Sequence, residues 1–201
     1  PCERVEFLRT CGEAVSWIDA LVEWGNAREV TPIVCAYNLM FDMQTLMLPL
    51  SLEYDMETNA QSSTNVYTLD LLVDGVRVLR FWDTYHLEMR GLSAMGETCG
   101  LAKATGDWDY TLVRTPETPL TAEELHYAKR DVQVIPAYLR YLLSANEWME
   151  PEDLGNRVLT KTSIVRQMAK REIGKLKFRN AKGLCHIIVR PYGQRMYLVL
   201  F

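Results

Sequence analysis

Histidine and cysteine are scarce in this sequence, and no apolar run is long enough to span a membrane. The 201 residues include three histidines and five cysteines. The cysteines (Cys2, Cys11, Cys35, Cys99 and Cys185) are odd in number, and none stands in a CxxC pair. That pattern suggests neither a zinc knuckle nor a disulfide framework, so reduced thiols are the expectation. A helix that crosses a bilayer needs about 20 mostly apolar residues, and nothing here approaches that. No basic n-region leads into an apolar h-region, so no secretory signal is expected. His86 and His186 lack companions at metal-ligand spacing. Repeats and low-complexity tracts are absent as well. The sequence opens on Pro1 rather than Met, as expected for a piece of a longer chain.

What is present reads as a globular domain. Apolar residues make up 48% and charged residues 24%, ordinary values for a folded protein. The length suits one domain with a full core, or one domain plus an appendage. Net charge is −4, but it is unevenly spread. Residues 157–195 hold eleven Lys/Arg against the single acid Glu172, a net +10. The remainder, with eleven basic and twenty-five acidic residues, carries −14. An acidic body beside a basic segment suits a metal site next to a phosphate-binding surface; a solvated helix face is the bland alternative.

Periodicity places the elements. Val15, Ile18, Leu21 and Val22 predict a helix over 12–25, ending near Gly25. PIVCAY (32–37) reads as a short strand, and Met40–Leu48 as a helix stopping before Pro49. Residues 55–65 are polar and read as a loop. VYTLDLLV and VRVLRFWD flank Asp74-Gly75, a pair suited to the positive φ angles of a tight hairpin turn. A helix over 91–99 would stop at Gly100. Thr121 and Glu124 form a capping box for a helix running to about Ser144, which Pro136 should kink or open. Glu, Pro, Asp and Gly cluster at 146–156, as in a linker. Thr160–Ile173 reads as a helix stopped by Gly174, and CHIIV and MYLVLF as strands. Trp17, Trp24, Trp82, Trp108 and Trp148 should lie in the core or an interface and not act as base-stacking platforms. Met40, Met43 and Met47 should pack their helix.

Two short stretches could carry chemistry. In AYNLMFD (36–42), Asn38 and Asp42 interrupt an apolar region. In ELHYAKRDVQVI on the capped helix, Tyr127 and Asp131 are four apart and share one face. A carboxylate near a strand end and another on a facing helix can together hold two divalent cations. A phenol one turn away can orient a water. Each signal has a plain counterpart: a structural turn at Asn38, a half-buried aromatic at Tyr127, a solvated charge at Asp131.

AYNLMFD, FWDTYHLEMRGLSAMGETCGLAKATGDWDY and LTAEELHYAKRDVQVIPAYL follow one another in that order. Together they resemble the 3′–5′ exonuclease domain of family B DNA polymerases, most closely the protein-primed branch of phages and mobile elements. NLMFD is similar to that family's second exonuclease motif, YAKRD to its third, and TGDWDY to a KGDIDY-type segment of the branch. The resemblance covers about residues 30–143, with a weaker extension back to 12.

The resemblance implies an α/β, ribonuclease-H-like (DEDD exonuclease) three-layer domain lacking its N-terminal strands. Residues 1–150 would be a partial exonuclease domain, and 151–201 a basic connection toward the polymerase palm. It implies Asp42 and Asp131 as carboxylates for two Mg2+ or Mn2+ ions and Tyr127 as the group that positions water. Asn38 and Phe41, with Thr84 and Tyr85 as weaker candidates, would contact a frayed single-stranded 3′ end. DNA is the implied partner, with a terminal priming protein in this branch, in the cytoplasm of a bacterial or phage-infected cell. Three departures stand out. The D-x-E of the family's first motif has no counterpart in residues 1–41, so the fragment alone should cleave little. The branch's catalytic lysine aligns with Thr105, with Lys103 two residues earlier. His126 stands at the spacing from Asp131 used by histidine-type exonucleases of the same superfamily, where an imidazole is the general base. The alternatives are therefore a free-standing histidine-type exonuclease, or a degenerate module that binds single strands.

Overall fold

The computed structural model describes residues 5–63, 65–101, 111–175, 188–192 and 195–199. The chain forms two compact units, one up to Met168 and one from Ala169 onward. The first opens with helix α1, Cys11–Asn26, capped by Thr10 and Glu13 in a capping box. Strand β1 (Ile33–Ala36) leads into helix α2 (Leu39–Ser51). Strands β2 (Asp55–Ser62), β3 (Asn65–Val73) and β4 (Val76–Asp83) follow. Then come the short helices α3 (Tyr85–Glu88) and α4 (Leu92–Thr98), and the long helix α5 (Ala122–Ala145).

The sheet has the order β1-β4-β3-β2, with β1 parallel to β4 and the other pairs antiparallel. The β3–β4 turn is the expected one: Asp74 and Gly75 have φ of 53° and 75°. Alternation along the strands sends side chains to two cores. Leu79 and Phe81 of β4, with Val34 and Ala36 of β1, pack under Ile18 and Val22 of α1 and Leu39, Met43 and Leu50 of α2. Trp82 of β4, with Ile33 and Cys35 of β1, packs on the other face with Leu87, Met95, Val134, Tyr138 and Leu142. The result is an α/β domain: a mixed four-stranded sheet with helices on both faces.

Several expectations needed correction. Residues 55–65 are not a loop, since most of them form β2. That strand is polar because it is the sheet's edge; nearly every side chain is exposed, and main-chain pairing to β3 holds it. Helix α2 continues through Pro49. The Thr45 carbonyl, which a proline at 49 cannot bond, accepts the Cys11 thiol at 3.8 Å. Helix α5 contains Pro136 and ends at Ala145, one residue beyond the expected end. Residues 146–156 do not behave as a linker. Met149, Leu154 and Val158 are buried in the second core, and Asp153 is buried while accepting the Glu150 amide. Arg80 grips Asp70 through two bonds of 2.6 Å and donates to the Gly155 carbonyl at 3.0 Å, so this segment is tied to the sheet. Gly155 sits at φ 70°, where a side chain would also crowd Ile33 and Trp82. Trp82 is fully buried as expected, while Trp17 and Trp24 are 37% and 46% exposed, Trp24 beneath the Arg28 guanidinium.

Helix α6, Lys161–Lys175, spans the unit boundary. The second unit contains the antiparallel hairpin of β5 (Ile188–Tyr192) and β6 (Arg195–Val199). Lys103, Thr105, Trp108 and the rest of the TGDWDY segment lie outside the described residues, as do Cys2, Cys185 and His186.

Candidate functional site

Strands β1 and β4 run parallel and end in register, Ala36 opposite Asp83. Their C-terminal ends therefore share one rim of the sheet, and the chain leaving each must turn there. Thr84 ties the two exits together, because its amide and its hydroxyl both donate to the Ala36 carbonyl, at 2.9 and 2.6 Å. The Tyr37 and Tyr85 rings meet edge to face with centroids 5.7 Å apart.

The start of α2 has free amides that need an acceptor. Asn38, the residue in the N-cap position, adopts the left-handed conformation at φ 64° and makes no side-chain cap. Asp83 does that work from the neighbouring strand. Its carboxylate accepts the amides of Asn38 and Leu39 at 3.0 Å each, and that of Tyr85 at 2.9 Å. Asp83 is only 5% exposed, and its negative charge faces the positive end of the helix. The Asn38 side chain is left at the surface. One turn on, Phe41 is 65% exposed, unusual for a phenyl group.

Asp42 completes this first turn and lies at the surface. Partial loss of hydration, and then the charge of Asp83, push its carboxyl above the ordinary 3.8. A carboxyl that holds its proton more tightly when folded contributes stability that is lost as pH rises through the raised value. Asp42→Asn is thus expected to be at least as stable as the native protein at pH 7, with the difference vanishing below pH 3.8. Urea midpoints at both pH values check this; a lower midpoint for the variant at pH 7 would contradict it.

The second set of residues lies on α5. Thr121 caps this helix with Glu124, as expected. Tyr127 and Asp131 are half-buried, and the same stripe continues into Val134 and Tyr138 in the second core. His126, off that stripe, is exposed. Tyr138 donates its hydroxyl to buried Glu88 at 2.8 Å, fixing α5 against the segment that leaves β4. Asp42 and Asp131 thus belong to helices on opposite faces of one sheet.

Some expectations change at this level. Thr84 is fully buried and its hydroxyl donates to the Ala36 carbonyl, so it holds the strand ends together. Tyr85 keeps partial exposure. Sequence reasoning passed over Asp83 as a clamp and Glu88 as a buried carboxylate. It also passed over His86, buried against Tyr67 and bonded to the Val66 carbonyl at 3.2 Å. A charged residue closing an apolar strand was the available signal for Asp83.

The divalent ions implied by the sequence resemblance fit these residues in part. Asp42 carries a carboxylate crowded by Asp83, a repulsion that a cation relieves. Among the described residues, no three His, Cys, Asp or Glu side chains gather to cage an ion, so the donor set is incomplete. Among the described residues, no helix is long and apolar enough to cross a membrane.

Neither a protein-family model nor a curated protein matches this sequence. Solved structures do. Phi29 DNA polymerase complexed with primer-template DNA and incoming nucleotide substrates superposes on 82% of this chain with a TM-score of 0.62 and 17% identity. Phi29 DNA polymerase complexed with single-stranded DNA gives 82%, 0.60 and 17%. The chain shares its fold with part of phi29 DNA polymerase. It spans 28% and 29% of the length of those two polymerase chains.

Proposed function

We propose that this chain is the proofreading 3′–5′ exonuclease portion of a family B DNA polymerase, with a ribonuclease-H-like fold. The observation that carries the reading is the rim where β1 and β4 end. There, buried Asp83 takes over the capping of α2 and leaves Asn38, Phe41 and Asp42 on the first turn facing solvent. The likeness to a polymerase fold, and the order of the motifs along the chain, support the same reading.

In this reading Asn38 and Phe41 hold the unpaired 3′ end of a primer, the amide by hydrogen bonds and the ring by stacking. Tyr85 borders the same strand. Asp42, from the α2 face of the sheet, and Asp131, from the α5 face, would hold Mg2+ or Mn2+ with the D-x-E carboxylates of the family's first motif, so the reading requires the two to meet past the β1–β4 rim and hydrolysis needs a chain that carries all of them. When bound, the ions polarise the terminal phosphodiester and acidify the attacking water. The Tyr127 phenol orients that water from its place one turn before Asp131. Mispaired ends are preferred because they fray at lower cost than paired ones. Lys103 is a further candidate at the phosphate. The basic residues beyond 157 lead toward the polymerase palm.

Tyrosine and histidine types are separated by two substitutions in the full-length protein. Tyr127→Phe is expected to slow removal of an unpaired 3′ nucleotide by about 10²-fold, the usual scale for a group positioning a proton transfer. His126→Ala is expected to change it by less than about twofold, as for an exposed residue. The reverse ranking, with the acidic limb of the pH–rate profile lost in His126→Ala, would establish the histidine type instead.

A further inference from the structure

Glu88, at the end of α3, is a buried carboxylate that two exposed cations approach. Its side chain is 5% exposed. Oε1 accepts the Arg90 guanidinium, Nε at 2.8 Å, while Oε2 accepts the Tyr138 hydroxyl and lies 3.8 Å from Nζ of Lys161, the first residue of α6. One cation would neutralise this carboxylate. Two are present, from segments 71 positions apart, and their side chains are 59% and 66% exposed. Glu97 also acts on Arg90, so what the cluster presents to solvent is two anchored cationic heads, not a net charge.

Their place gives these two heads a use. The Arg90 carbonyl accepts the Tyr37 hydroxyl. Tyr37 directly precedes Asn38 and stands edge-on to Tyr85. Cations fixed by a buried anchor therefore adjoin an aromatic pair at the rim that bears the candidate site. Proteins that hold single strands combine these two features, cations along the backbone and rings for the bases.

We propose that Arg90 and Lys161 form a phosphate-holding patch for single-stranded nucleic acid, with the Tyr37–Tyr85 pair beside it as the surface its bases meet. The patch deepens the reading of the site given above and rests on it for the direction in which the strand arrives. Each phosphate neutralised on a single strand contributes about 0.7 to the slope of log affinity against log salt.

The test is fluorescence anisotropy of the whole chain with a labelled oligothymidylate of about 12 nucleotides. EDTA is present throughout, and salt is varied between about 50 and 200 mM. The Arg90→Gln/Lys161→Gln variant is expected to lower the steepness of that slope by about 0.7 to 1.4, one to two phosphates. The charge-preserving Arg90→Lys/Lys161→Arg variant is expected to keep it. If the first variant does not fold because Glu88 is stranded, adding Glu88→Gln removes that carboxylate and the same drop is expected. An unchanged slope in a folded variant overturns the proposal. So does a native chain whose binding does not depend on salt, or a preference for duplex of the same length. Hydrolysis plays no part in this measurement, so the exonuclease reading stands or falls separately through Asp131.

Discussion

On the exonuclease reading, alanine at Asp131, in a chain that also carries the D-x-E carboxylates, is expected to reduce removal of unpaired 3′ nucleotides by about 10³-fold or more. Loss of a single charge-stabilising contact in a transition state costs about 10²–10³. Losing a donor to the cations that organise the reaction belongs at or beyond the upper end. Nucleotide incorporation by the same variant should remain measurable, because that chemistry resides elsewhere in a polymerase. Stability should change little, since Asp131 is half-buried on a helix whose packing rests on Val134, Tyr138 and Leu142. The assay follows a 5′-labelled primer with a mismatched terminus, with and without nucleotides. Parallel loss of excision and incorporation would indicate a folding defect and count against the assignment.

The second large effect concerns stability. Trp82 has no exposed surface, and its indole N–H donates to the Leu159 carbonyl at 3.3 Å. It joins β4 to the segment around Gly155, whose missing side chain makes room for the indole ring. Trp82→Ala opens a large cavity and is expected to cost about 3–5 kcal/mol, enough to unfold many domains of this size. Trp24→Ala, at a residue 46% exposed with the Arg28 guanidinium over its ring, should cost less than about 1 kcal/mol. Urea midpoints rank the two. Equal shifts would mean that the second core does not bind the sheet to residues 149–158 as described.

The parts of this fold legible in the sequence are those whose signal is local. Asp74-Gly75 announces its turn because positive φ restricts the choice of residue. Thr121 and Glu124 announce a helix start because both halves of the capping box lie within four positions. The same box at Thr10 and Glu13 was equally readable and was passed over. Strand β2 was hidden for a physical reason. An edge strand needs backbone partners, not apolar side chains, so Asp55–Ser62 looks like loop. The packing of 149–158 was hidden because Gly155, Asp153 and Pro151 carry the composition of a linker, while Arg80 of β4 holds the Gly155 carbonyl and Met149, Leu154 and Val158 pack with Trp82.

The site was legible to about the same depth. Asn38, Phe41 and Asp42 stand out as polar or oversized residues beside an apolar strand, and they do share the exposed first turn of α2. Tyr127 and Asp131 share a helix face, as spacing alone required. The sequence could not show that Asp83, forty-five positions after Asn38, supplies the acceptor that shapes the loop. Nor could it show that Thr84 is spent on the Ala36 carbonyl. Both depend on β1 and β4 being parallel neighbours that end together, a long-range fact with no local trace.

The most direct measurement is a crystal structure of the full-length protein grown with Mn2+ and a short single-stranded oligonucleotide, read by anomalous scattering. The account predicts manganese peaks coordinated by the carboxylates of Asp42 and Asp131, with the 3′ end against Asn38 and Phe41. Manganese bound away from both carboxylates, with the oligonucleotide on another surface, would contradict it.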